Sequence, residues 1–162
     1  MNPTETLIMK MIAYYAGDPK RIQHFVKVYE FASLIGKTER LKERTQFILE
    51  TAAVVHDIGI KVAEEKYGSC IGKYQEQEGP AVAQQMLTEL GYEQEVIERV
   101  CYLVGHHHTY ANIDGMDYQI LVEADFLVNL YEDGVSDGAA QNAFDKIFVT
   151  QTGRQICAAM FL

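Results

Sequence analysis

Proline is scarce in this chain, with three in 162 residues. No low-complexity tract or internal repeat appears, and 48% of the residues are apolar, so a disordered chain is excluded. Cysteine is equally sparse. Cys70, Cys101 and Cys157 are odd in number, widely scattered and without CxxC spacing. They point to free thiols in a reducing, intracellular setting rather than to a disulfide framework. Positive charge is short as well: 14 Lys and Arg stand against 23 Asp and Glu, a net charge of -9. That balance argues against a binder of nucleic acid polymers, which needs a basic surface. It leaves room for a small phosphorylated molecule held by a few local cations and a metal. There is no signal-like start. Met9 to Tyr15 is interrupted by Lys10 and is too short to span a membrane or direct export, so the expected location is the cytoplasm, away from membranes. Period-2 alternation, the mark of a half-buried strand, is also missing.

What the chain has is helical period. Thr4 to about Ala16 forms a first segment that stops at Gly17. Asp18-Pro19 is a start signal, with Asp as N-cap and Pro at the first helical position. The next helix carries Ile22, Phe25, Tyr29 and Ala32 on one stripe, with His24, Val28, Phe31 and Ile35 beside it, and Gly36 is its expected end. Thr38 is the expected N-cap of a helix running to about His56. Glu76 or Gly79 opens another, with Pro80 in its first turn and Gly91 as its stop. Helices follow over Glu93 to Val104, Tyr118 to Tyr131, Ser136 to Val149 and Gly153 to the end. The stretches Lys61 to Lys73 and Thr109 to Gly115 read as linkers too short to separate domains, so the expectation is one all-α domain over residues 1–162. Its last helix, Ile156 to Leu162, either closes the core or forms a homodimer contact.

Polar residues interrupt this apolar pattern at a few places. His56-Asp57 closes the run from Phe47 to Val55 and precedes Ile58-Gly59. An imidazole and a carboxylate at a buried helix end are costly to desolvate without a partner. His24 lies on the apolar side of its helix, where a histidine alone is more often bonded to a carbonyl. Asp125 lies in register with Tyr118, Leu121, Val122 and Val128, and a carboxylate there is harder to dismiss. His106-His107-His108 follows Gly105 at a helix end, where a solvated cluster would also suit the helix dipole. Together His24, His56, Asp57 and Asp125 offer two nitrogen and two oxygen donors from three helices. That mixture suits one divalent ion such as Mn, Fe, Co, Ni or Mg better than a structural zinc, and a bundle core is where such sites are built.

The order H…HD…HH…D, with "HFVKVYEFA", "AAVVHDIG", "HHH" and "EADFLVN" in sequence, resembles the HD-domain superfamily of metal-dependent phosphohydrolases from about Arg21 to Asn129. The resemblance implies a compact helical bundle with a metal site in its core made by His24, His56, Asp57 and Asp125. It implies hydrolysis of a phosphate ester on a nucleotide or another small phosphorylated metabolite by metal-activated water. Asp57 would ligate and orient that water. His106 or His107, turned inward, would protonate the leaving oxygen or hold a phosphate, and Arg21 and Lys61 are the substrate contacts the sequence offers. The chain departs from the pattern in three places. Gln75 in "QEQEGPA" stands where two-metal members carry a further His, which favours one ion over two, although Glu76, Glu78, His106 or His107 remain as donors for a second. The GYP extension of the cyclic-di-GMP phosphodiesterases is absent. Ile60 occupies the lysine position of "HDIGK", with Lys61 following. Two other readings stay open: a di-iron oxygenase on the same fold, and a non-enzymatic metal-stabilised domain that senses a ligand or binds a partner.

Overall fold

A computed structural model describes residues 1–134, 136 and 138–162. Among these residues there are nine helices and no strand: α1 (Pro3–Tyr14), α2 (Pro19–Thr38), α3 (Glu43–Val55), α4 (Ile60–Tyr67), α5 (Gly72–Glu89), α6 (Gln94–Val104), α7 (Met116–Glu132), α8 (Ala139–Lys146) and α9 (Gln151–Phe161). Asp137, which the expected Ser136–Val149 helix passes through, lies outside the described residues.

The signal at Asp18-Pro19 acts as read. Asp18 accepts the Arg21 N–H at 3.2 Å and Pro19 opens α2. The expected stop at Gly36 fails for a packing reason. A side chain at Gly36 would overlap the Gln46 amide of α3, so this glycine allows two helices to touch rather than ending one. α2 runs on to Thr38, whose hydroxyl donates back to Leu34 O at 2.8 Å instead of capping the next helix. The chain reverses through Arg40 at φ +61°.

The second half of α3 is apolar on every face and is buried through Leu49, Ala52, Ala53, Val54 and Val55. The helix packs against α1, α2, α6 and α7, and α2 packs against α7. These helices supply Phe25, Leu49, Leu103, Leu121 and Leu127, none of which is solvent-exposed. Fully burying a side chain of that size contributes about 1.5–3 kcal/mol. An unpaired charge in the same place costs at least as much, so each acid inside the bundle needs a partner. Glu123, fully buried on α7, has its partners among protein groups: it accepts from Val149 N, Thr150 N and the Thr150 hydroxyl, and so anchors the start of α9.

Two expectations are corrected in the middle of the chain. Lys61 to Lys73 is not a plain linker, because it contains most of α4, a short charged helix that buries only Ile60 and Ala63. α5 begins at Gly72, ahead of Glu76, which leaves Pro80 inside the helix rather than in its first turn. The break in the ladder that proline imposes falls beside Gly79, where backbones meet closely. A Cβ on Gly59 would lie 2.6 Å from Gly79 N, and one on Gly79 would lie 2.7 Å from Val104 Cγ1. The turn after α3 therefore rests directly on α5, and α5 on α6.

Candidate metal centre

Each polar residue of the centre is placed by a helix or its end. His24 lies in α2, His56 caps α3, Asp57 follows in the turn to α4, and Asp125 lies in α7. The turn is held by Tyr15, whose hydroxyl donates to Ile58 O at 3.1 Å and accepts from Lys61 N at 3.2 Å. All four residues are buried, with exposures of 8, 0, 6 and 2% in chain order.

Their donor atoms converge. His24 Nε2 lies 3.0 Å from His56 Nε2, 3.1 Å from Asp57 Oδ2 and 3.3 Å from Asp125 Oδ1. His56 Nε2 lies 3.4 Å from both Asp57 Oδ2 and Asp125 Oδ1. The ring partners assign the tautomers. His56 Nδ1–H donates to Ala53 O at 2.7 Å, and His24 Nδ1–H to Glu132 Oε1 at 2.6 Å. Both Nε2 lone pairs therefore face the two carboxylate oxygens, four acceptors with no donor among them. Asp125 Oδ1 is buried without a hydrogen-bond partner. An ion bonded at ~2.1 Å to each of its ligands keeps neighbouring ligand atoms roughly 3.0–3.4 Å apart. The five separations that involve a histidine nitrogen match, and all four atoms lie within 4.8 Å of one another, so the residues fit a divalent ion.

Electrostatics lead to the same conclusion. Burial alone lowers an imidazole pKa, yet Asp125 and Asp57 overcome it and raise His24 to about 11. His56 is likewise lowered by burial and raised by Asp57 and Asp125, to about 9. Burial raises the carboxyls of Asp57 and Asp125, but their histidine neighbours hold both below the usual carboxylate range. Without an ion the cluster recruits protons, the only cations at hand.

Asp57 has a second face. Its Oδ1 lies 2.9 Å from His107 Nε2 and 3.6 Å from His108 Nε2, a further group that could hold an ion. His107 Nδ1–H donates to Val104 O at 2.9 Å, so its Nε2 also presents a lone pair. His108 is different. The Gln75 amide nitrogen donates to Cys70 O, which leaves Gln75 Oε1 as the acceptor 2.9 Å from His108 Nε2. That nitrogen carries the proton and must lose it before it can take an ion.

The expected residues thus separate. His24, His56, Asp57 and Asp125 come together, and His107 joins Asp57. His106 does not: its Nδ1–H donates to Tyr102 O at 2.7 Å and its ring stacks on Tyr102. Arg21 lines the cleft of about 310 Å³ that opens onto His24 and Asp57, while being paired with Asp18 and Glu64. Lys61 lies outside that cleft, over the Tyr14 ring and in a separate hollow of about 130 Å³. The sequence reading passed over Lys20, Gln75 as a partner of His108, Asn129 and Glu132, all of which line the cleft. A signal existed for two of them: Asp125, Asn129 and Glu132 repeat at i, i+4 and i+7, one stripe of α7.

A family model described as HD domain matches residues 21–142. No curated protein matches the chain. The crystal structure of a predicted HD superfamily hydrolase from an uncultured Thermotogales bacterium superposes with a TM-score of 0.68 at 22% identity, over 96% of this chain and 83% of that one. At that identity the likeness concerns the fold.

Proposed function

The chain belongs to the HD-domain family, and from that premise we propose that it is a metal-dependent hydrolase, acting on the phosphate ester of a nucleotide or another small phosphorylated metabolite. One observation carries the reading: four buried acceptors without a donor, two of which, His24 and Asp57, line an open cleft together with Lys20 and Arg21. A divalent ion held there by His24, His56, Asp57 and Asp125 supplies charge neutralisation and a water of lowered pKa. Everything else falls to the side chains. Lys20, which forms no ion pair among the described residues, attracts the phosphate to the cleft, beside Arg21, whose own charge is committed to Asp18 and Glu64. Asp57, with one oxygen turned to each histidine group, fixes the direction of attack. His107, its ring pinned by Val104 O, turns Nε2 to Asp57 Oδ1 and so holds that carboxylate in place. The cytoplasm and a small-molecule partner fit this reading. None of the described helices is long and apolar enough to cross a membrane.

The test is elemental analysis of the purified protein, with phosphate release measured over nucleotides, cyclic nucleotides and sugar phosphates, each divalent ion being added back. Turnover that depends on the ion is expected. A protein that takes up metal yet hydrolyses nothing across the panel overturns the reading in favour of a ligand sensor. The second donor group on Asp57 favours one alternative, a di-iron oxygenase. Two irons per chain with visible absorbance would establish it, whereas one ion per chain is expected because Gln75 occupies His108.

A further inference from the structure

The ring nitrogens that face away from the centre are held in two different ways. His56 and His107 stand at the ends of α3 and α6, and each Nδ1–H donates to a last-turn carbonyl of its own helix, Ala53 O and Val104 O. Helix ends have such carbonyls to spare. His24 sits inside α2, where the neighbouring carbonyls are committed to the helix's own ladder. Its Nδ1–H needs an acceptor from elsewhere, and α7 brings Glu132 Oε1 to 2.6 Å. The other oxygen, Oε2, accepts from Lys27 Nζ at 2.7 Å, and Lys27 lies one turn beyond His24 on α2. The carboxylate is thus gripped from both sides and its side chain is only 13% exposed.

We infer that Glu132 is a positioning residue for the metal centre: it fixes His24 in the tautomer that aims the Nε2 lone pair at Asp57 and Asp125, and Lys27 holds it there. The inference rests on the metal reading of the four-residue group. A carboxylate on the far nitrogen makes an imidazole a more basic ligand and stops the ring from turning. Without it, a His24 ring carrying a single proton would place it on Nε2, since two carboxylate oxygens lie within 3.3 Å of that nitrogen. An ion would then have to displace that proton and reorient the ring. Asp125 and Glu132 stand two turns apart on one face of α7, so a single helix supplies both a ligand of the centre and the restraint on another.

The experiment measures Mn(II) binding by calorimetry on wild type, Glu132→Ala and Glu132→Gln, together with ¹⁵N NMR of the His24 ring in the Mg(II)-loaded proteins and melting of the metal-free ones. Glu132→Ala is expected to weaken Mn(II) binding about 10–100-fold, the usual effect of losing such a partner, and to shift the ring proton away from Nδ1. Glu132→Gln, which keeps an acceptor but loses the charge, should restore the tautomer and recover most of the affinity. Equal affinities in all three proteins would reduce Glu132 to a partner of Lys27 and overturn the inference. So would a variant that melts lower while binding Mn(II) as wild type does. A wild type that binds neither ion removes the metal reading itself, and the inference with it. The wild-type titration therefore tells that failure from one confined to Glu132.

Discussion

At the scale of single residues the centre depends most on Asp57, whose two oxygens serve two groups of imidazoles. Asp57→Ala is expected to abolish divalent ion binding and turnover together, as read by elemental analysis and phosphate release. Asp125→Ala should weaken binding without abolishing it, because His24, His56 and Asp57 persist. It also takes a partner from His24 and His56, so the metal-free variant should melt lower than wild type near neutral pH. An Asp125→Ala protein with unchanged metal content would remove Asp125 from the ligand set. The sequence made the first four residues legible because buried polar groups on apolar stripes are rare. It left the three adjacent histidines undivided, because direction at a helix end is decided by tertiary contacts. His107 turns inward because its Nδ1–H bonds to Val104 O, which brings Nε2 to Asp57, whereas His106 lies flat on Tyr102. The pairing of His108 with Gln75 joins α5 to the end of α6, and no spacing along the chain encodes it.

At the scale of elements, the turn after α3 is set by contact between backbones. Gly59→Ala would place a methyl 2.6 Å from Gly79 N and 2.9 Å from Gln75 O, neither of which can move aside as a side chain end could. The expected cost is about 1–3 kcal/mol of unfolding free energy, measured by urea denaturation, with weaker metal binding as Asp57 shifts. Glu123→Ala is expected to cost a similar amount, about 1–3 kcal/mol, by leaving the buried Thr150 N–H and the partly buried Val149 N–H unpaired at the start of α9. Its metal affinity should stay near wild type, because α9 contributes nothing to the centre. The helical period of α2, α3, α6 and α7 could be read directly, since each buries a stripe wide enough to leave a pattern. α4 could not, because two buried residues make no period. Gly36 and Pro80 misled for opposite reasons. One glycine that usually stops a helix serves a close approach, and one proline that usually starts a helix sits inside α5, next to the close contact of Gly79 with Gly59 and Val104.

For the whole molecule, the cluster of acceptors ties stability to pH and to metal. In the metal-free protein His24 and His56 have pKa values raised to about 11 and about 9. Groups raised in the folded state stabilise it fully below their unfolded value near pH 6.5, and that contribution is lost as pH climbs through the folded values. The melting temperature of the chelator-treated protein is therefore expected to fall between pH 7 and 11 on account of this pair. Mn(II) affinity should rise over the same range, as fewer protons compete. A flat melting profile together with a flat affinity profile would contradict both. Restoring the ion at roughly 100 times its dissociation constant should add about 2.7 kcal/mol of stability. On the proposed ligand set, the order of the donors along the chain also governs when an ion is captured during synthesis. His24, His56 and Asp57 leave the ribosome early, whereas Asp125 follows only after α4, α5 and α6 have been made. A nascent chain with three donors on a half-built wall releases an ion faster than one with four. Retention of the ion thereby favours chains whose α7 has been completed and docked, so finished molecules hold it longer than truncated ones.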